Sequence, residues 1–96
     1  MFRSTEENHL VGVAVPIQRR LIDRLRAIRA KHGLTQEGFA ELAGLGYKHY
    51  QQIEIGKKPD LRLSTLERIA SAYGIEVHQL LAPRMPPSKI RSTRSR

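Results

Sequence analysis

The sequence predicts an all-α domain of five short helices, and three observations predict it. Apolar residues recur at three- and four-residue spacing in separate blocks between Ile17 and Leu81. Each block is closed by a glycine or a proline: Gly33, Gly44, Gly56, Gly74 and Pro83. The apolar 40% of the chain includes only Phe2, Phe39, Tyr47, Tyr50 and Tyr73 as aromatics, so a core must be made mainly of Leu, Ile, Val and Ala, which suits packed helices. A length of 96 residues leaves room for one core, at 17–82, with an N-terminal extension over 1–16 and a tail over 83–96.

In chain order, Pro16 favours a helix start, and Ile17, Leu21, Leu25 and Ile28 then lie on one face of a helix stopped at Gly33. Thr35 is an N-cap for a second helix that runs to Ala43 and ends at Gly44. A third occupies Tyr47 to Glu54. Ser64 and Glu67 fit a capping box for a fourth, whose inner face is Leu66, Ile69, Ala70 and Tyr73. A short fifth carries Val77, Leu80 and Leu81 inward, although Glu76 is a poor N-cap by residue type. Before the first helix, Val11, Val13 and Val15 alternate with small residues at strand period, the pattern of an arm or short strand that would pair across a dimer.

The net charge of +8 points toward an anionic polymer or surface. It falls in two places. Residues 17–82 hold 11 basic against 7 acidic residues, and residues 83–96 carry Arg84, Lys89, Arg91, Arg94 and Arg96 with no acid. That last stretch, rich in Pro, Ser and Arg, reads as a disordered basic arm. With no cysteine there is no disulfide framework or cysteine metal site, and a reducing compartment is expected. No apolar run is long enough to cross a bilayer, and Leu10 to Val15 lacks the flanks of a signal peptide, so a cytoplasmic protein with no membrane partner is expected. His9, His32, His49 and His78 show no paired metal spacing, and no phosphate loop or catalytic dyad is legible, so neither enzyme activity nor a cofactor is expected.

The informative stretch is Leu34 to Lys58. Two short helices crossing at a tight turn need a small residue at the contact, apolar residues on either side and a left-handed residue in the turn. Ala40, Phe39 with Leu45, and Gly44 supply them. On the following helix Tyr50 and Ile53 face inward, leaving Lys48, Gln51, Gln52 and Ile55 outward. Gln and Lys are side chains that read base edges, Gln on adenine and Lys on guanine.

These residues, with RLRAIRAKHGLTQ from Arg24, IEIGKK from Ile53 and LSTLERIASAYGI from Leu63, resemble the phage-repressor family, the Cro and lambda-repressor-like or xenobiotic-response-element domain. The resemblance covers about residues 17–82. It implies a five-helix lambda-repressor-like fold, usually a dimer on double-stranded DNA, whose third helix enters the major groove. It assigns Gln36 to a phosphate contact that also buttresses the recognition helix, and Tyr47, Lys48, Gln51 and Gln52 to bases or nearby backbone. Lys57 and Lys58 would hold phosphates, and Arg29 and Glu54 would form a structural ion pair. Several positions depart from the pattern: Gly46 stands where Ser or Thr usually caps the third helix, Gly38 interrupts the second, Glu76 is a poor cap for the fifth, Tyr47 is bulkier than usual for a base-facing position, and Ile55 stands where the family often has a polar residue.

The expected function is that of a homodimeric transcriptional regulator, a repressor in its simplest form, on a palindromic operator with half-sites about 10 bp apart. The alternative is a protein-interaction module, such as an antitoxin or bridging co-regulator, using the terminal extensions.

Overall fold

The computed structural model describes residues 16–90, and among them the chain forms five helices and no strand. These are α1 Ile17–Lys31, α2 Gln36–Ala43, α3 Tyr47–Glu54, α4 Leu63–Ala72 and α5 Val77–Leu81. Residues 1–15, where the valine alternation lies, are outside the described residues.

The first four helices end alike. Leu34, Leu45, Lys57 and Ile75 each return a backbone N–H to a carbonyl five residues earlier, across a glycine of positive φ. The requirement is sharpest at Gly44, where φ is 73° and a Cβ would stand 3.1 Å from the Arg68 guanidinium that donates to the Gly44 carbonyl. This turn sets α2 against α3, and α4 ties it down through Arg68.

The core is built around Leu25, Ile28, Phe39, Tyr50, Ile53, Ile69, Tyr73 and Leu80, all essentially excluded from solvent. At its centre Phe39 stacks on Tyr73 with centroids 4.3 Å apart and meets Tyr50 edge-on at 5.1 Å. One α2 side chain thus joins α3 to α4.

Two caps differ from expectation. Leu66 N–H bonds the Arg62 carbonyl, so α4 starts at Leu63, with Arg62 at its cap and Ser64 inside its first turn. Leu63 and Ser64 at its start are exposed, where water can satisfy amides without a side-chain cap, and the Thr65 and Leu66 amides both bond the Arg62 carbonyl, so the Ser64 and Glu67 pattern is permissive, not obligatory. Glu76, conversely, caps α5 well. Its carboxylate accepts from the Gln79 N–H, while Gln79 Oε1 accepts from Glu76 N–H at 2.9 Å. The reciprocal amide makes a complete capping box from a residue type that caps poorly alone.

The stretch expected as a disordered arm also differs over residues 83–90. Pro86 is buried, Ile90 packs against the core, and Lys89 N–H donates to the Tyr73 carbonyl at 3.1 Å. Ser88 Oγ lies 3.1 Å from His32 Nε2, whose ring stacks on Tyr73. Two apolar residues and one main-chain bond suffice to lay a polar segment on the surface, which composition alone does not register. Residues 91–96 are outside the described residues.

Candidate nucleic-acid interface

The geometry of α3 follows from its sequence. Tyr50, Ile53 and Glu54 point inward and are buried, whereas Tyr47, Lys48 and His49 are exposed and Gln51 and Gln52 are half-buried at its flank. Gln51 Nε2 lies 3.5 Å from Tyr47 Oη, one turn away on the same side. Gly46 takes the extended cap conformation without a side-chain bond, and Tyr50 N–H still bonds its carbonyl. Beyond Gly56, Lys57 and Lys58 are exposed, with the Lys57 amide committed to the Gln52 carbonyl and its ammonium free to extend.

Beneath this surface sits Glu54, whose side chain is 1% exposed. Arg29 meets it with two parallel bonds, Nε to Oε2 at 2.7 Å and Nη2 to Oε1 at 3.0 Å. Gln36 Nε2 donates to Oε1 at 3.0 Å, and the Tyr50 hydroxyl donates to Oε2. Arg29 also donates to the Leu34 carbonyl at 2.9 Å, and Arg26 to the Glu54 carbonyl at 2.8 Å. A single carboxylate therefore joins α1, the first residue of α2 and the end of α3.

Burial alone would push the Glu54 carboxyl up, but hydrogen bonds from Arg29, Tyr50 and Gln36, with the Arg29 charge, hold it below the ordinary carboxylate range. The same contact with Glu54, working against burial, raises Arg29. Tyr50 is pushed up by burial and by its bond to Glu54, so it remains a neutral donor.

The residues singled out from sequence separate into three groups in space. Tyr47, Lys48, Gln51 and Gln52 share the outer side of α3, and Lys57 and Lys58 follow its end. Gln36, Arg29 and Glu54 meet beneath it. Because the Gln36 side-chain nitrogen is given to Glu54, its side-chain oxygen is left for another partner, while the Gly38 and Phe39 amides are taken by the Thr35 hydroxyl and carbonyl.

Sequence reasoning missed Tyr50 and Arg26 as partners of Glu54. It also missed the clamp on α5, where Arg24 donates to the Gln79, Leu80 and Ala82 carbonyls at 2.6–3.1 Å and Arg20 to the Leu81 carbonyl at 3.1 Å. Burial and the neighbouring Arg20 charge lower Arg24. The only signal was indirect: Arg20 and Arg24 are one turn apart and adjoin Leu21 and Leu25, which puts both at the edge of the apolar face of α1 without naming their partners.

Among the described residues no helix is long and apolar enough to cross a membrane, and no cluster of His, Asp and Glu has the makings of a metal site. The helix-turn-helix family profile matches residues 25–80. The chain is 37% identical over 62 residues to the HTH-type transcriptional regulator DdrOP3 of Deinococcus deserti, an overlap of 65% of this chain and 47% of that protein. The chain thus aligns with about half the length of that curated relative. No solved structure matches it. With the helix-turn-helix match covering more than half of the chain, and with Ala40, Gly44 and the outward side of α3 placed as that motif requires, the chain belongs to the helix-turn-helix family of the xenobiotic-response-element type.

Proposed function

We propose that this chain is a sequence-specific regulator that binds double-stranded DNA as a homodimer and represses transcription from a palindromic operator in the cytoplasm. The observation that carries the reading is the division of α3 into a buried side fixed through Glu54 and an outer side bearing Tyr47, Lys48, Gln51 and Gln52. A recognition element must present polar side chains without spending them on the fold, and it must be held rigidly enough for hydrogen bonds to discriminate. Lys48, Gln51 and Gln52 then provide base choice, and Tyr47 lies along the sugar-phosphate backbone or a base. Gln36, Lys57 and Lys58 hold phosphates on either side. Two copies related by a two-fold axis place their α3 helices about one helical turn of DNA apart.

Selection of duplexes from a random pool at physiological salt tests this. The wild-type chain should recover a palindrome, and the Lys48→Ala, Gln51→Ala, Gln52→Ala triple variant should lose that preference while keeping its fold. Recovery of no preferred sequence by the wild-type chain would overturn the reading.

A further inference from the structure

Away from α3, Lys31, His32 and Ser88 bring three polar side chains to one point. Lys31 is the last residue of α1 and His32 its C-cap, with Gly33 following at a φ of 65°. Neighbouring side chains on a continuous helix diverge by about 100°, so their tips would not meet. Here the chain leaves the helix at His32, and both side chains reach the same oxygen. His32 Nε2 lies 3.1 Å from Ser88 Oγ, and Lys31 Nζ lies 3.5 Å from it. The segment 83–90 brings Ser88 there: Pro86 is buried, Lys89 N–H donates to the Tyr73 carbonyl at 3.1 Å, and Ile90 packs on the core. This approach needs Gly74, where a Cβ would stand 3.0 Å from the Lys89 carbonyl.

A hydroxyl has two lone pairs and one proton. An ammonium can only donate, so Lys31 takes one lone pair. When His32 Nε2 carries a proton it takes the other, and the Ser88 proton then points to an acceptor outside the trio. The surroundings of that proton are cationic. Among the described residues neither Lys31 nor Lys89 is paired with a carboxylate. An open concavity of about 310 Å³, lined by Gly74, Pro87, Ser88 and Lys89, adjoins the hydroxyl. It is roomy against the ~30 Å³ that a water occupies in the liquid. Cations at the C-terminal ends of α1 and α4 are favourable in themselves, which accounts for each lysine singly. That does not account for a hydroxyl gripped by Lys31 and His32 at the edge of a concavity.

We propose that Lys31, Ser88 and Lys89, with His32 behind them, form a binding site for a phosphate-class oxyanion. Lys31 Nζ and Ser88 Oγ, 3.5 Å apart, donate to one oxygen or to two oxygens of the same group. His32 Nε2–H donates to Ser88 Oγ and is a positioning residue, turning the hydroxyl outward; a bound acceptor selects that tautomer. The two ammonium groups suit the charge of about −1.5 to −2 that a phosphate monoester carries near neutral pH. The site does not depend on the DNA-binding reading.

Nuclear magnetic resonance titration of the full chain with sodium phosphate, against sodium chloride at equal ionic strength, tests this. Phosphate should give saturable shifts at Lys31, Ser88 and Lys89 and move the His32 ring nitrogens toward the form protonated at Nε2. Chloride should do neither. Ser88→Ala and Lys31→Met should each weaken binding by about tenfold or more, as loss of a hydrogen bond to a charged group does. Ser88→Thr keeps the hydroxyl and should bind like the wild-type chain. All three should melt close to it in chloride, since Lys31 is exposed and Ser88 half-buried. A short duplex in place of phosphate separates two sources of the ligand. Shifts of the same resonances by the duplex, in competition with phosphate, assign the site to a nucleic-acid backbone; shifts with phosphate alone assign it to the free ion or a small ester. Shifts no larger than those in chloride, with phosphate and duplex alike, would overturn the proposal. So would saturable binding that Ser88→Ala and Lys31→Met leave unchanged.

Discussion

Glu54 is a carboxylate taken almost wholly out of water, and its neighbours show what that requires. Its two oxygens receive Arg29 twice, Gln36 and Tyr50, so the cost of dehydration is offset by charge and by satisfied lone pairs. Arg29→Met strands that charge, and a loss of about 3–5 kcal/mol is expected. For a domain of this size that lowers the melting temperature by at least ~12 °C, measurable by thermal circular dichroism; unchanged melting would mean that the pair contributes little. Tyr73 is the opposite case. Its buried hydroxyl has no hydrogen-bond partner among the described residues, while its ring is stacked between Phe39 and His32. Tyr73→Phe keeps the ring and removes the unsatisfied group, so stability should hold or rise by about 1 kcal/mol, and a clear fall in melting temperature would contradict this. At this scale the sequence was partly legible. Arg29 and Glu54 were expected as a pair through the family resemblance, but Tyr50 looked like a core aromatic because its apolar spacing hides what its hydroxyl does.

Elements were easier to read than their ends. The helix order and the positive-φ glycines were legible because apolar spacing and Gly punctuation are local signals, set by backbone sterics within a few residues. The caps of α4 and α5 were not, since whether a cap forms depends on reciprocal partners and on exposure. The placement of residues 83–90 was not legible either, because its seat is made by His32 and Tyr73, which are far away in sequence. The capping box of α5 gives a test at this scale. A five-residue helix has little propensity of its own, and it is held by Glu76 and Gln79 at one end and by Arg20 and Arg24 at the other. Glu76→Ala should cost about 1 kcal/mol and raise amide exchange in Val77–Leu81 ahead of the rest of the chain. Equal protection in α5 would show that the arginine clamp alone suffices.

For the molecule as a whole, the Glu54 network makes stability depend on acid. The folded carboxyl takes up its proton at lower pH than the unfolded chain, whose ordinary value is 4.5. Its contribution is therefore complete above that value and is lost as pH falls through the lower folded value. Stability measured by urea unfolding should decline as pH drops below about 4.5, and Glu54→Gln, though less stable at neutral pH, should show a shallower decline. Parallel declines would assign the acid sensitivity to other carboxyls. This carboxylate joins three helices, so its protonation is expected to loosen α1, α2 and α3 together.

The alternation of roles along α3 has a consequence for how such a protein can change over generations. Tyr50, Ile53 and Glu54 secure the helix from below, while Lys48 is exposed and Gln51 and Gln52 are only half-buried at its flank. On the proposed DNA-binding reading, a drift in target preference is an edit to these outer positions, which leaves the buried scaffold beneath unchanged. Duplicated copies of such a gene can diverge in what they recognise while folding, melting and responding to acid alike.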